Sequence, residues 1–241
     1  MQYETSKPAI PACSSCAAPL ASAAPFCEAC GRVQPNSAIL NYFEFFGLPR
    51  RLNIDLANLE KQFYRVSRKL HPDMYARASA VEQEWSLAQS SLLNDAYRTL
   101  KNPLSRTEYL LRLEGVQLEE EGKSAGERRE SRVPADLLEE VFELNMQLEE
   151  MRMSHKMGED DPQLRTDLEN AKQRFEGQLS DADANLEELW GAWDTAANAG
   201  DEAAKLDARD KMAALLDRRR YIRNLVRDVN ETLVPAEQES L

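Results

Sequence analysis

The tripeptide His71-Pro72-Asp73 interrupts two amphipathic segments and so limits the folds open to the chain. Residues 55–70 before it and 82–101 after it carry apolar side chains at steps of three and four, which predicts two helices. Pro72 has no N–H and disfavours the helical conformation at His71, so the first helix must end there. Two helices joined by a short polar break pack as an antiparallel hairpin. The sequence therefore predicts a helical hairpin with the tripeptide at its exposed tip.

Basic residues crowd the first predicted helix of this hairpin, directly before the tip. They are Lys61, Arg65, Arg68 and Lys69, and the first three share one helical face. A run of charges is commonly only a solvated face. Here all four charges are positive and lead to the tip, which favours a docking surface that steers and orients an acidic partner.

The cysteines are concentrated in one short segment, as the pairs Cys13-x-x-Cys16 and Cys27-x-x-Cys30. Two such pairs supply four thiolates, which close a tetrahedral zinc shell and leave no open position for catalysis. Disulfides are the alternative, but closely spaced pairs in a chain without a secretion signal favour a metal. Gly31 permits the positive φ that such a knuckle often requires. We expect residues 1–39 to be a structural zinc segment that folds on metal binding.

The helix expected to begin near Pro134 has two apolar stripes on different faces. The first, which predicts the core of a bundle, comprises Leu137, Val141, Leu144, Leu148 and Met151. The second comprises Leu138, Phe142, Met146 and Met153, and it is rimmed by Glu139, Glu143 and Glu150. Either another helix covers this second stripe, or it binds a partner, for which methionine gives an adaptable surface. Two more long amphipathic segments follow Asp161 and Gly200 and predict a three-helix bundle over residues 132–241.

Charge is distributed unevenly along the chain. Residues 40–114 carry 11 Lys and Arg against 9 Asp and Glu, whereas residues 115–241 carry 17 against 31. The net charge of −12 argues against nucleic-acid binding, and no apolar run of about 20 residues predicts a membrane span. The N-terminus lacks a secretory pattern and is a poor transit peptide, so we expect a bacterial cytoplasmic protein or, alternatively, a processed protein of the mitochondrial matrix. Residues 115–131 are rich in glycine and charge and predict a linker.

The tripeptide in its helical hairpin resembles the J domain of co-chaperones that act on DnaK-type ATPases. Residues 42–48 match the short first J helix, and residues 94–100 match the third. The continuation at residues 102–111, together with residues 82–85, is similar to the HscB-type J proteins of iron–sulfur cluster biogenesis. This resemblance covers most of residues 41–233, and the cysteine segment resembles the metal-binding extension of some members.

The resemblance implies two partners and assigns residues to each. His71, Pro72, Asp73 and the four basic residues would contact a DnaK/HscA-type chaperone. An iron–sulfur scaffold protein of the IscU type would bind at Leu138, Glu139, Phe142, Glu143, Met146, Glu150 and Tyr221. Glu139 stands where the family usually has an apolar residue, and Met146 where it often has an acidic one.

The expected architecture is all-α, with the zinc-knuckle segment, a J domain over residues 40–114, the linker and the three-helix bundle. The expected function is that of a co-chaperone and not of an enzyme, because nothing beside His71 suggests a nucleophile or substrate pocket. Two alternatives stay open. One is a general J protein for unfolded clients, and the other is a zinc-dependent redox or metal-delivery protein with a degenerate J domain.

Overall fold

A computed structural model describes residues 12–20, 25–35, 41–118, 133–159 and 161–234 of the chain. The helices in these residues are α1 Tyr42–Phe45, α2 Leu56–Leu70, α3 Ala80–Lys101, α4 Pro103–Leu113, α5 Leu138–Met157, α6 Pro162–Ala199 and α7 Glu202–Leu233. Pro72–Tyr75 and Ala135–Leu137 form short 3₁₀ turns. Among the described residues before Asn41, the β-bridges are the isolated pairs Ala12–Pro19 and Phe26–Val33. The predicted all-α class is confirmed.

The chain divides into two compact units, Met1–Gly115 and Val116–Leu241. The first unit holds the cysteine segment and α1 to α4, and the second holds α5 to α7. Most of the predicted linker, residues 115–131, lies outside the described residues. Within the described part of the chain, no helix is long and apolar enough to cross a membrane.

The predicted hairpin in the first unit is formed by α2 and α3. Helix α2 ends at Leu70, and His71 turns away from helical geometry with a ψ of 129°, as the following proline requires. Helix α3 begins at Ala80, two residues before the predicted start. The reason is a capping box, in which Ser79 and Glu82 bind each other's backbone N–H groups and satisfy the free donors of the first turn.

Helix α1 contributes aromatic side chains to the core of the first unit. Phe43 and Phe46 are buried, and Tyr42 stacks on Tyr109 of α4 with ring centroids 4.3 Å apart. The hydroxyl of Tyr109 also accepts a hydrogen bond from the backbone N–H of Tyr42 at 2.9 Å. The continuation after α3 therefore forms the helix that holds α1 in place.

The buried face of α3 includes polar residues as well as apolar ones. Ala88 and Leu56 continue the apolar spacing of α3 and α2, but Ala88 is exposed and Leu56 is half exposed. Ser86 and Gln89, which are polar, are buried instead. Each of these two side chains donates a hydrogen bond to a backbone carbonyl, which offsets part of the cost of burying its polar atoms.

The second unit is the predicted three-helix bundle. The first stripe of α5 packs on α6 and α7, where Leu168, Phe175, Ile222 and Val229 are among its buried neighbours. Helices α6 and α7 are longer than α5 and are joined by a turn at Gly200. The φ of Gly200 is 69°, so α6 ends with a left-handed C-cap residue. Near this turn, α6 and α7 bury further apolar residues, including Trp193.

Candidate functional site

The tip of the α2–α3 hairpin is exposed to solvent. The side chains of His71 and Asp73 are 57% and 88% accessible, and Met74 beside them is also exposed. The Nδ1 atom of His71 accepts a hydrogen bond from the backbone N–H of Asp73 at 3.3 Å. This bond orients the imidazole ring outward, where a partner protein can reach it.

Two serines of α3 hold the backbone just before the tip. Ser86 Oγ donates to the carbonyl of Leu70 at 2.6 Å, and Ser90 Oγ donates to the same carbonyl at 3.0 Å. Since the end of α2 leaves its last carbonyls without helical partners, these bonds fix the point from which the tip departs. Neither serine was predicted as functional from the sequence. In the sequence, Ser86, Gln89 and Ser90 are polar at helical spacing on one face of α3, but this pattern does not indicate which carbonyl they bind.

The basic face of α2 is exposed. The side chains of Lys61, Arg65, Arg68 and Lys69 are all accessible. Among the described residues, none of these four pairs with a carboxylate, and Lys69 instead lies over the ring of Phe26. Their positive charges are thus available to an acidic partner, although the assignment to a chaperone stays a prediction.

The second apolar stripe of α5 is also open to solvent. Leu138, Phe142 and Met146 are 55%, 69% and 61% exposed, and the rim residues Glu139, Glu143 and Glu150 are exposed as well. The stripe continues through Met153 to Met157, which lies one helical turn beyond the predicted stripe. A folded chain seldom leaves so many large apolar side chains exposed along one helix unless they bind something.

Tyr221 has a different environment from the stripe. It is partly buried and packs against the core of the bundle. Burial raises the pKa of its hydroxyl, and the nearby Asp228 carboxylate raises it further. Its predicted role toward the scaffold stays a prediction.

The two cysteine pairs form matching knuckles. In the first, Cys13 N–H donates to Ala18 O and Ala17 N–H to Cys13 O, at 2.8 and 3.0 Å. In the second, Cys27 N–H donates to Arg32 O and Gly31 N–H to Cys27 O, at 2.9 and 2.8 Å. The residue after each pair has positive φ, 57° at Ala17 and 71° at Gly31. The expectation for Gly31 is confirmed, and the first knuckle adopts the same conformation without a glycine.

The thiols of these knuckles can hold a metal ion. Cys13 Sγ lies 3.6 Å from Cys30 Sγ, Cys16 Sγ lies 3.7 Å from Cys27 Sγ, and all four atoms lie within 4.8 Å of one another. A tetrahedral ion with metal–sulfur bonds of about 2.3 Å separates its ligands by about 3.8 Å, whereas a disulfide needs about 2.05 Å. The donor set therefore fits a closed four-thiolate site.

Local hydrogen bonds prepare one of the thiols for metal binding. The backbone N–H of Ser15 donates to Cys13 Sγ and is the main reason that the pKa of Cys13 is lowered to about 6. At Cys16 the N–H of Ala18 lowers the pKa, but interactions with Cys13 and the other thiols outweigh it and raise the pKa to about 12. Four adjacent thiols resist full ionisation, so a cation is required to hold them all as thiolates.

A hairpin with a His-Pro-Asp tip, followed by a separate three-helix bundle, is the architecture of a J-type co-chaperone. One solved structure supports this class of protein. The chain resembles the human co-chaperone protein HscB with a TM-score of 0.60 and 25% identity, over 93% of this chain and all of that one. The chaperone HscB from Vibrio cholerae is 27% identical over 80% of this chain, with a TM-score of 0.47. No family model matches the chain. The resemblance to HscB-type co-chaperones that the sequence predicted is confirmed.

Proposed function

We propose that this protein is a co-chaperone that binds an IscU-type iron–sulfur scaffold through α5 and delivers it to a DnaK/HscA-type chaperone. The observation that carries the proposal is the coexistence of two exposed surfaces on separate compact units. One is the His71–Asp73 tip with its basic helix, and the other is the apolar stripe of α5. The similarity to a protein named as a co-chaperone supports it.

The tip and the basic face of α2 would act on the chaperone. Positive charges steer a protein toward an acidic surface and orient it there, and their effect weakens as salt increases. His71 and Asp73 would then make the short-range contacts that favour the hydrolysis-competent state of the ATPase. Their role is differential binding to one conformational state, which is sufficient to shift an equilibrium without chemistry by this protein. The protein would therefore activate an enzyme without being one.

The stripe of α5 would bind the scaffold. Phe142 lies between Leu138 and Met146 in the exposed stripe, where a large aromatic side chain can fill a pocket of the partner. The glutamates at its rim favour a partner with basic residues around an apolar patch. Holding scaffold and chaperone on one chain raises the effective concentration of each for the other.

The remaining parts of the proposal concern the metal and the setting. The metal in the cysteine site would be zinc in a structural role, because four thiolates complete its tetrahedral shell. We place the protein in the cytoplasm of a bacterium, with the mitochondrial matrix as the alternative. Neither nucleic acid nor membrane is among the proposed partners, since the net charge of −12 would oppose binding to anionic polymers and lipids.

Steady-state ATP hydrolysis by a DnaK/HscA-type chaperone tests the proposal, with the protein alone, with scaffold alone and with both. Synergy between protein and scaffold is expected, and His71→Gln and Phe142→Ala should each abolish it. Leu206→Ala is the matched control, because Leu206 is an exposed apolar residue of α7 outside the stripe.

The outcomes separate the alternatives. Stimulation that is indifferent to scaffold and to Phe142 would contradict scaffold delivery and favour a general J protein for unfolded clients. An activity retained by His71→Gln but lost in Cys13→Ser would favour the redox or metal-delivery protein. Absence of stimulation under every condition would refute the co-chaperone function.

A further inference from the structure

Gln34 connects the metal knuckles to the J-domain hairpin. Its side chain is buried, with Nε2 donating to Cys13 Sγ at 3.4 Å and Oε1 accepting from the N–H of Ser14 at 3.3 Å. Its backbone carbonyl accepts a hydrogen bond from Nε2 of Gln89, which is buried on α3, at 3.2 Å. The same residue thus contacts a metal ligand with its side chain and the hairpin with its main chain.

Two more contacts join the knuckles to the ends of the hairpin helices nearest the tip. The ammonium of Lys69 lies 5.9 Å from the centre of the Phe26 ring, within the range of a cation–π interaction. The guanidinium of Arg32 lies 3.4 Å from the carboxylate of Glu82 in the first turn of α3. Lys69 precedes His71 by two residues, so these contacts reach both helices that flank the tip.

The knuckle segment depends on its metal for a fixed structure. Cys13, Cys27, Val33 and Gln34 are its buried residues among those described, and two of the four are ligands. So small an apolar core does not offset the entropy of ordering the segment. Without the metal, the ligands would separate and the contacts of Phe26 and Gln34 with α2 and α3 would be lost.

We propose that metal binding by the knuckles positions the tip of the J-domain hairpin, with Phe26 and Gln34 as the positioning residues. The metal would order the knuckles, and the knuckles would hold the last turn of α2 and the first turns of α3. Lys69 would thereby be kept in a defined place on the basic face. This inference rests on the proposed function only for its consequence, namely that metal loss would weaken chaperone engagement.

Amide hydrogen exchange of the full chain, with and without a zinc-selective chelator, tests the positioning directly. Peptides covering residues 66–76 are expected to exchange at least about two-fold faster after metal removal. Peptides from α6 serve as an internal reference and should not change, because α6 belongs to the other compact unit. Unchanged exchange at residues 66–76, with proven metal loss, would overturn the proposal.

Variants at Phe26 test it in the metal-loaded protein, where the knuckles stay folded. Phe26→Leu keeps apolar bulk and loses the π face, whereas Phe26→Tyr keeps the ring. We expect faster exchange at the end of α2 in Phe26→Leu and wild-type exchange in Phe26→Tyr, with equal metal content in both. Equal exchange in the two variants would remove Phe26 from the positioning role.

Chaperone activation gives the functional consequence. An exposed cation–π contact corresponds to about a two- to five-fold change in an equilibrium constant. Phe26→Leu should therefore raise the half-saturating concentration for ATPase stimulation by about that factor and leave the maximal rate unchanged. If metal-loaded wild type fails to stimulate any chaperone, the proposed function is refuted, while the exchange experiment still decides whether the metal positions the tip. If the metal-free protein stimulates the ATPase at the same half-saturating concentration as the metal-loaded protein, the link between the metal and chaperone engagement is overturned.

Discussion

Replacing Ala17 by glycine is expected to tighten metal binding, because Ala17 has the wrong residue type for its backbone conformation. Its φ is 57°, in the left-handed region, while the matching position of the second knuckle is a glycine with φ of 71°. An L-residue with a Cβ pays about 1–2 kcal/mol in this region. Glycine relieves that strain but adds about 0.4–1 kcal/mol of freedom to the unfolded chain. The difference of these two effects should stabilise the folded, metal-bound segment by about 0.5–1 kcal/mol.

The reverse substitution supplies the matched control. A Cβ on Gly31 would meet no heavy atom within 4 Å, so Gly31→Ala tests backbone conformation without a steric clash. Since folding of the segment and metal binding are coupled, the change should appear in the metal affinity. Ala17→Gly should tighten the affinity about two- to five-fold, and Gly31→Ala should weaken it by a similar factor.

Competition with a chromophoric zinc chelator at neutral pH measures both affinities in the full chain. The double variant should return close to the wild-type value, because the strain is moved from one knuckle to the other. Equal affinities for wild type, Ala17→Gly and Gly31→Ala would refute the reasoning that backbone strain limits metal binding.

Other predictions concern the stability of the two units. Phe142→Ala should change the free energy of unfolding by less than about 0.5 kcal/mol, whereas Phe175→Ala, in the bundle core, should cost about 3–5 kcal/mol in urea titration. Ser86→Ala and Ser90→Ala should each cost about 1 kcal/mol, and a double-mutant cycle should show a larger combined loss, because the carbonyl ending α2 then has no donor. If the losses from the two single variants simply add in the double variant, the idea that both serines stabilise α2 through the same Leu70 carbonyl is refuted. At the start of α3 the hydroxyl and the backbone N–H of Ser79 both donate to the Glu82 carboxylate, and these bonds lower the pKa of that carboxyl below its usual range. The stabilisation is therefore present above the ordinary pKa of a glutamate and is lost as the pH falls through the lowered folded-state pKa, so Glu82→Gln should flatten the acid side of the stability profile.

Much of the fold follows from local sequence signals. Pro72 ends α2, Pro103 and Pro162 begin α4 and α6, and the spacing of apolar residues distinguishes the two faces of α5. These signals act through backbone geometry and helical periodicity, which depend only on near neighbours in the chain. For the same reason the cysteine spacing predicted a four-thiolate site, and the open second stripe of α5 could be recognised as a candidate surface.

Tertiary structure decided the features that depend on residues far apart in sequence. Ser86 and Gln89 are buried because the carbonyls of Leu70 and Gln34 come to lie against α3, and nothing near them in sequence indicates those acceptors. The contact of Phe26 with Lys69 likewise needs the knuckles and the hairpin to meet. Local patterns specify which side chains are apolar and where helices end. Which buried polar group finds a partner is determined only when distant segments pack together, since its burial cost is offset by that particular bond.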